Sequence, residues 1–412
     1  MNIDENSDAE SNESFGMDVL DYSGVRQEQD VAIYSEISSE EVPLPTENTF
    51  DLALPATHSY LGQNLEELRG RTVLDDGIYM NLPLLVKQPI VLFPGQTLPM
   101  TVYERQTIEM LKTCIQNDRT FGVICSGYDK MMQIGTTAEI YEYKETNGEL
   151  NLKAKGRQRF KILRLLTKGY GKIFADVRIL PEVILKSPFQ DERLTPLDPY
   201  RTQPFNEAEA RSQEKIEQFD AAVTPWPAWL YRQYDPLRLS LRIRNYLKFI
   251  ENRGSNIPKD PVELSYWAAQ NLLLDNNERM IVLKYDCAIS RLQREIKYLI
   301  EDRVFVCCNC DSFIGKQSDI FPMSKEGPQS AYCNSSGVIH ETVTFYHAQG
   351  LILSNSPPST ECSWFPGYAW TIANCKHCGS HMGWKFTAVQ GKLKPQSFWG
   401  LTRLNLKHKG IM

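Results

Sequence analysis

The sequence predicts a multidomain α+β chain: a mostly β module, a helical module and an all-β module pinned by metal. Three observations carry this. Between Leu82 and Ile184 short apolar runs are broken by Pro and Gly, and beyond a connector ending near residue 206 the apolar positions recur at helical spacing. Seven of the ten cysteines lie after residue 306, four of them in two Cys-x-x-Cys pairs. With 412 residues and 42% apolar content, the chain has material for two or three cores. The expected divisions are an acidic tail (1–57), a β module (58–185), a helical module (186–302) and a zinc-containing module (303–412).

Residues 1–57 carry fourteen acids against the single base Arg26, a net −13, so the chain's total of −6 leaves +7 for the remainder. This segment is too poor in apolar residues to offset the entropy of ordering, and disorder is expected throughout it. The opening Met1-Asn2-Ile3-Asp4-Glu5 has neither the positive charge nor the apolar stretch of a secretory signal. Leu82–Phe93, interrupted by Lys87 and two prolines, falls short of the roughly 18 apolar residues of a membrane span. A soluble protein of cytoplasm and nucleus, with no membrane insertion, is the expectation.

In the β module, Ile90–Phe93, Phe121–Ile124, Ala138–Tyr141 and Phe160–Leu163 read as strands. Ile108, Leu111 and Ile115 are spaced for one helix over Glu104–Ile115. After the Pro- and Asp-rich connector, Leu239, Ile243, Tyr246, Leu247 and Ile250 read as one face of one helix. Ile281, Tyr285, Ala288, Leu292, Ile296 and Leu299 read as another. Asp260-Pro261 is a helix start, because Pro fits the first helical position and Asp caps it.

The pairs Cys307/Cys310 and Cys375/Cys378 each put two thiolates on one turn, and two such turns facing each other make the tetrahedral sulfur site that zinc prefers. Sixty-four residues separate them. Relative to a 16-residue spacer this adds about 1.2 kcal/mol of closure entropy. That is small beside the ~10–16 kcal/mol apparent for structural zinc. The i, i+3 spacing favours Cys307 with Cys310 over Cys308, and His377 reads as a solvent-facing turn residue. Four sulfurs close the coordination sphere, so one structural zinc is expected. Trp364, Trp370 and Trp384 fall close together around the second knuckle. They read either as core or as an aromatic cage whose rings wall a slot while nearby backbone supplies directional hydrogen bonds.

Ser363–Trp370, Gly383-Trp384-Lys385-Phe386 and Phe398–Arg403, flanking that knuckle, resemble the thalidomide-binding domain of the cereblon family. Leu82-Pro83-Leu84, Val91–Gly95, Leu98-Pro99, Phe121-Gly122-Val123 and Gly156–Phe160 resemble the N-terminal domain of Lon proteases. The cereblon family joins the two, and the resemblance spans about residues 80–410. It implies a Lon-N-like β domain, an adaptor-binding helical module and a zinc-pinned β-tent domain. No Gly-x-x-x-x-Gly-Lys-Ser/Thr phosphate loop occurs, so the Lon resemblance carries no ATP-driven chemistry.

The resemblance further implies a non-catalytic substrate receptor of a cullin-four RING ubiquitin ligase, which binds C-terminal cyclic imide degrons and thalidomide-like glutarimides. Trp364, Trp370 and Trp384 would wall the cage with Phe386 behind, and the backbone at Cys362 and Trp364 would pair the imide. Asn334 would be a further ligand contact, and Ile372 and His340 would belong to the rim met by a recruited protein. Cys362 stands where vertebrate members have His, which leaves a backbone contact intact. The helical stretch Trp229–Phe249 would hold the damaged-DNA-binding adaptor, with Arg232, Arg238 and Arg242 as candidate contacts.

Three rival functions fit the residues less well. Residues 225–255 hold six bases and two acids, but the basic helix lacks stacking aromatics, and no direct nucleic-acid partner is expected. A methyl-lysine reader would add a carboxylate beside the rings, and only Glu361 is near in sequence. His381–Phe386 resembles a methionine sulfoxide reductase motif, yet Trp384 replaces its histidine and Phe398-Trp399-Gly400 its catalytic cysteine.

Overall fold

The computed structural model describes residues 48–87, 90–125, 133–146, 148–168, 172–185, 193–201, 207–300 and 303–409. Most of the acidic tail therefore lies outside the described residues. The part inside them is ordered, which corrects the boundary at 57. Phe50 and Leu52 are buried, α1 (Ala53–Ala56) follows, and both side chains join a core with Trp364, Phe365, Tyr368 and Phe386 of the zinc module. Backbone bonds fasten the segment further, Thr49 N–H to Lys394 O and Lys325 N–H to Leu52 O. Two large apolar side chains suffice, because their partners are already a packed aromatic core.

The β module consists of β1 (Glu66–Glu67), β2 (Gly77–Lys87), β3 (Thr97–Val102), α2 (Arg105–Gln116), β4 (Thr120–Cys125), β5 (Ile134–Thr146), β6 (Glu149–Lys168) and β7 (Lys172–Leu180). The strand order is β1-β5-β4-β2-β7-β6-β3, and β5 also pairs with β6, which closes β5, β4, β2, β7 and β6 into a barrel. Helix α2 lies over it through Ile108, Met110, Leu111 and Cys114. Ile90–Phe93 is buried as its apolar character requires, but it is a loop, not the expected strand. Phe93 O approaches Gly156 so closely that a Cβ there would stand 2.2 Å from it. The loop thus sits on the barrel wall at a point only glycine allows.

The helical module comprises α3 (Glu207–Ala221), α4 (Ala228–Arg232), α5 (Pro236–Tyr246), α6 (Lys248–Glu251), α7 (Pro261–Asn271), α8 (Asn276–Lys284) and α9 (Ala288–Ile300). Asp260 caps α7 by accepting from the N–H groups of Val262 and Glu263, with Pro261 at the first position as expected. Each of the two long periodic stretches is two helices. The chain breaks at Leu247 between α5 and α6, leaving Tyr246 exposed, and at Tyr285–Cys287 between α8 and α9. Buried Arg159 of β6 accounts for the second break, since its guanidinium takes up the carbonyls of Leu283 and Tyr285. Among the described residues no helix is long and apolar enough to cross a membrane.

The last module holds β8 (Val304–Cys307), β9 (Phe313–Lys316), β10 (Gln329–Cys333), β11 (Ile339–Phe345), β12 (Leu351–Leu353), β13 (Tyr368–Cys375), β14 (His381–Ala388), β15 (Ser397–Thr402) and β16 (Leu406–Lys409). They form a six-stranded sheet, β10-β11-β15-β14-β13-β12, and a three-stranded one, β16-β8-β9. The mixed α+β architecture and all-β final module agree with the sequence reading.

Candidate functional site: a four-thiol centre and an aromatic cage

Each knuckle begins at the end of a strand, β8 for Cys307 and β13 for Cys375, and each is closed by the same backbone bond. Asp311 N–H donates to Cys307 O at 3.1 Å and Gly379 N–H to Cys375 O at 2.9 Å. The residue after each second cysteine takes the left-handed conformation, φ 60° at Asp311 and 74° at Gly379. Glycine adopts it freely and aspartate tolerates it. All four sulfurs lie within 4.8 Å of one another, with Cys307 to Cys378 at 3.7 Å and Cys310 to Cys375 at 3.5 Å. A tetrahedron with Zn–S of ~2.3 Å has S···S edges of about 3.8 Å, so the thiols suit one structural zinc. Cys308 lies outside the cluster and His377 is exposed.

Beside this frame, β13 and β14 carry the cage. In their antiparallel register Trp370 faces Phe386 and Ile372 faces Trp384, so all four share one face of the sheet. Trp364, arriving on the loop before β13, meets Trp384 edge to face at 4.6 Å and 73°, and Phe386 lies behind at 6.4 Å from it. The indoles of Trp364, on the loop, and Trp370, on β13, are both braced. Trp364 Nε1 donates to Cys333 O at 3.1 Å and Trp370 Nε1 to Glu361 O at 2.8 Å.

The His340 ring lies 5.0 Å from Trp384 and 5.8 Å from Trp364, and Nε2 is 3.4 Å from Asn334 Nδ2, so it stands against the two indoles. Burial, and then the neighbouring His381, lowers its pKa to about 4, so the wall is neutral at physiological pH. Ile372 is half-buried on the shared face. Tyr332, stacked on Trp364 at 5.1 Å and 10°, and the Phe50 segment behind it were missed, because nothing in their local sequence signals a ring contact.

Cys362, two residues before Trp364, is exposed and takes the left-handed conformation, φ 50°. Among the described residues, no protein partner takes the backbone N–H or C=O of Cys362 or of Trp364.

The candidate adaptor arginines are differently placed. Arg232 Nε donates to Glu217 at 2.8 Å and Arg238 pairs with the same carboxylate, so both are tied within the module. Arg242 is half-buried on α5. The module also exposes large apolar side chains: Phe219, Val223, Trp226, Trp229, Leu237 and Leu241 are each at least half exposed, from 50% to 64%.

Two family models match. The ATP-dependent protease La (LON) substrate-binding domain covers residues 81–301, and the Yippee zinc-binding/DNA-binding /Mis18, centromere assembly model covers residues 303–408. The chain is 40% identical to protein cereblon of Gallus gallus over 383 residues, 88% of this chain and 86% of the chicken protein. It is 39% identical to protein cereblon of Xenopus tropicalis, covering 92% of this chain and 90% of the frog protein. For protein cereblon of Danio rerio the identity is 38%, with 92% of each covered. Relatedness of that extent runs through the β module, the helices and the four-thiol module alike, and the chain belongs to the cereblon family.

Proposed function

We propose that this protein is the substrate receptor of a cullin-four RING ubiquitin ligase and that its aromatic cage binds cyclic imides, both drug-like glutarimides and C-terminal imide degrons. One observation carries the reading: a neutral wall of Trp364, Trp384 and His340 next to backbone donors and acceptors at Cys362 and Trp364 that no protein group among the described residues uses. An imide presents one N–H donor and two carbonyl acceptors on a flat uncharged ring, which matches aromatic walls with polar backbone at one edge. The indole braces hold the walls in place before ligand arrives, so little ordering entropy is lost on binding.

The outer apolar surface from Phe219 to Leu241 supports docking of the damaged-DNA-binding adaptor, because exposed Trp and Leu on short helices are the residues that anchor protein interfaces. In this reading the chain performs no chemistry. It holds a bound protein near the ligase's charged E2 and so raises the effective concentration of its lysines.

Calorimetry on the zinc-loaded full chain decides against the cation-reader alternative. A glutarimide is expected to bind and a trimethyl-lysine peptide to give no heat. Preference for the peptide would overturn the assignment.

A further inference from the structure

His340 and Glu341 are successive residues of β11, so the strand's alternation sends their side chains to opposite faces. One face is the cage wall. On the other, Glu341 is 3% exposed and forms a joint between all three modules.

Its Oε1 accepts from Arg279 Nη2 at 2.9 Å, and its Oε2 accepts from Arg403 Nε at 3.1 Å and Nη2 at 2.6 Å. Arg279, fully buried on α8, also donates through Nη2 to Val91 O of the β module at 2.8 Å, and its guanidinium lies 4.8 Å from the Phe93 ring centre. Arg403 donates to Leu274 O at 3.1 Å and to Asn276 Oδ1 at 2.6 Å, both in the helical module. Burial alone would raise the Glu341 pKa, but the two guanidinium groups outweigh it and hold the carboxyl below its usual value. Removing the carboxylate would leave two buried cations facing each other, the arrangement a protein interior tolerates least.

We infer that Glu341, clamped by Arg279 and Arg403, is a positioning residue for the cage: the joint fixes β11, β11 fixes His340 against Trp364 and Trp384, and ligand affinity therefore depends on how the three modules meet. Coupling of this kind is reciprocal, so a ligand in the cage also tightens the joint. The inference rests on the cage being the imide site.

The test uses the zinc-loaded full chain, with glutarimide binding by calorimetry and hydrogen exchange over residues 90–93 and 274–279. Arg279→Met removes the bonds from α8 to Glu341 and to Val91 O and leaves the Glu341–Arg403 pair, with Arg403's own bonds to Leu274 and Asn276, intact, while Arg279→Lys keeps the charge. Glu145→Gln, which breaks the exposed Lys112–Glu145 pair, is the control. The expected result is at least tenfold weaker binding for Arg279→Met, partial recovery for Arg279→Lys and no change for Glu145→Gln. Ligand should slow exchange at both segments in wild type and not in Arg279→Met. If Arg279→Met fails to fold, the Arg279→Lys affinity and the wild-type exchange response decide. A folded Arg279→Met with one zinc per chain that binds within twofold of wild type overturns the inference alone. Wild type that binds no glutarimide overturns the cage reading and the inference with it.

Discussion

In the zinc module Trp364 and Trp370 each donate the indole N–H to a backbone carbonyl, and Trp364 is sandwiched among Tyr332, Trp384 and Phe386. On the helical module Trp226 and Trp229 stand 57% and 54% exposed on either side of Pro227. The same residue type therefore builds two kinds of surface. Rings braced by hydrogen bonds and backed by other rings make a fixed aromatic wall, the kind of surface the proposed flat ligand requires. Rings standing clear of the fold offer apolar area that only another protein can cover. The frame decides which is which. Two zinc knuckles and a six-stranded sheet hold the first set, whereas short helices joined by turns carry the second.

The largest way to break this contrast is to remove the frame. Cys375→Ser should lose the metal and, with it, the folded state of the zinc module, given the ~10–16 kcal/mol apparent for such centres. Near-ultraviolet circular dichroism from the caged indoles should collapse, and metal analysis should find no zinc. A variant that melts like wild type would dissolve the distinction between framed and unframed tryptophans.

Breaking the other side comes next. Trp229→Glu with Leu241→Glu should abolish capture of the adaptor, a loss of more than about 2 kcal/mol at an aromatic anchor. Glutarimide affinity should be untouched. Equal loss of both activities would mean that the two surfaces are not separable.

A third test concerns the segment behind the cage. His58 is buried in a left-handed turn beside Tyr60 and Tyr332, with Lys153 adding to the cost of charging it, and its pKa falls to about 3. The folded state holds His58 neutral, whereas the unfolded segment protonates near the ordinary value of about 6.5. Docking of residues 48–62 should therefore be unaffected above that pH and weaken as pH falls from about 6.5 toward 3, by up to about 1.4 kcal/mol per pH unit. Hydrogen exchange over Phe50–Leu61 at pH 7 and pH 5 reads this directly. His58→Gln should flatten the dependence.

The smallest effect belongs to Ile372, half-buried opposite Trp384. Ile372→Val should leave imide affinity unchanged and improve drug-induced recruitment of a partner protein by about 1 kcal/mol, the low end of overpacking costs. Ternary-complex titration of both forms measures it. Wild type recruiting as well as the variant would remove Ile372 from the contact.

What the sequence made legible was local or strongly spaced. The knuckles, the tryptophans around the second of them and the Asp260-Pro261 helix start all declare themselves within a few residues. What it hid depends on partners far along the chain. Phe50 and Leu52 sit in an acidic stretch with no periodicity, and only their distant aromatic neighbours order them. Ile90–Phe93 is as buried as a strand, so composition could not distinguish it from one. The continuous apolar period across Leu247 and Tyr285 concealed two helix breaks, one of them set by the remote Arg159. The pairing of Arg232 and Arg238 with Glu217, 15 and 21 residues earlier, has no local signature either. Glu341 gave no sign at all, since its partners lie 62 residues away on either side.

The central claim is that the cage holds a neutral imide through backbone groups at its lip, and calorimetry of glutarimide against N-methylglutarimide on the zinc-loaded full chain tests it most directly. Methylation removes the only donor and adds bulk where the ring meets the backbone of Cys362 and Trp364. The parent imide should bind saturably, one to one, and the methylated one should show no detectable binding. Equal affinities for the two would contradict it.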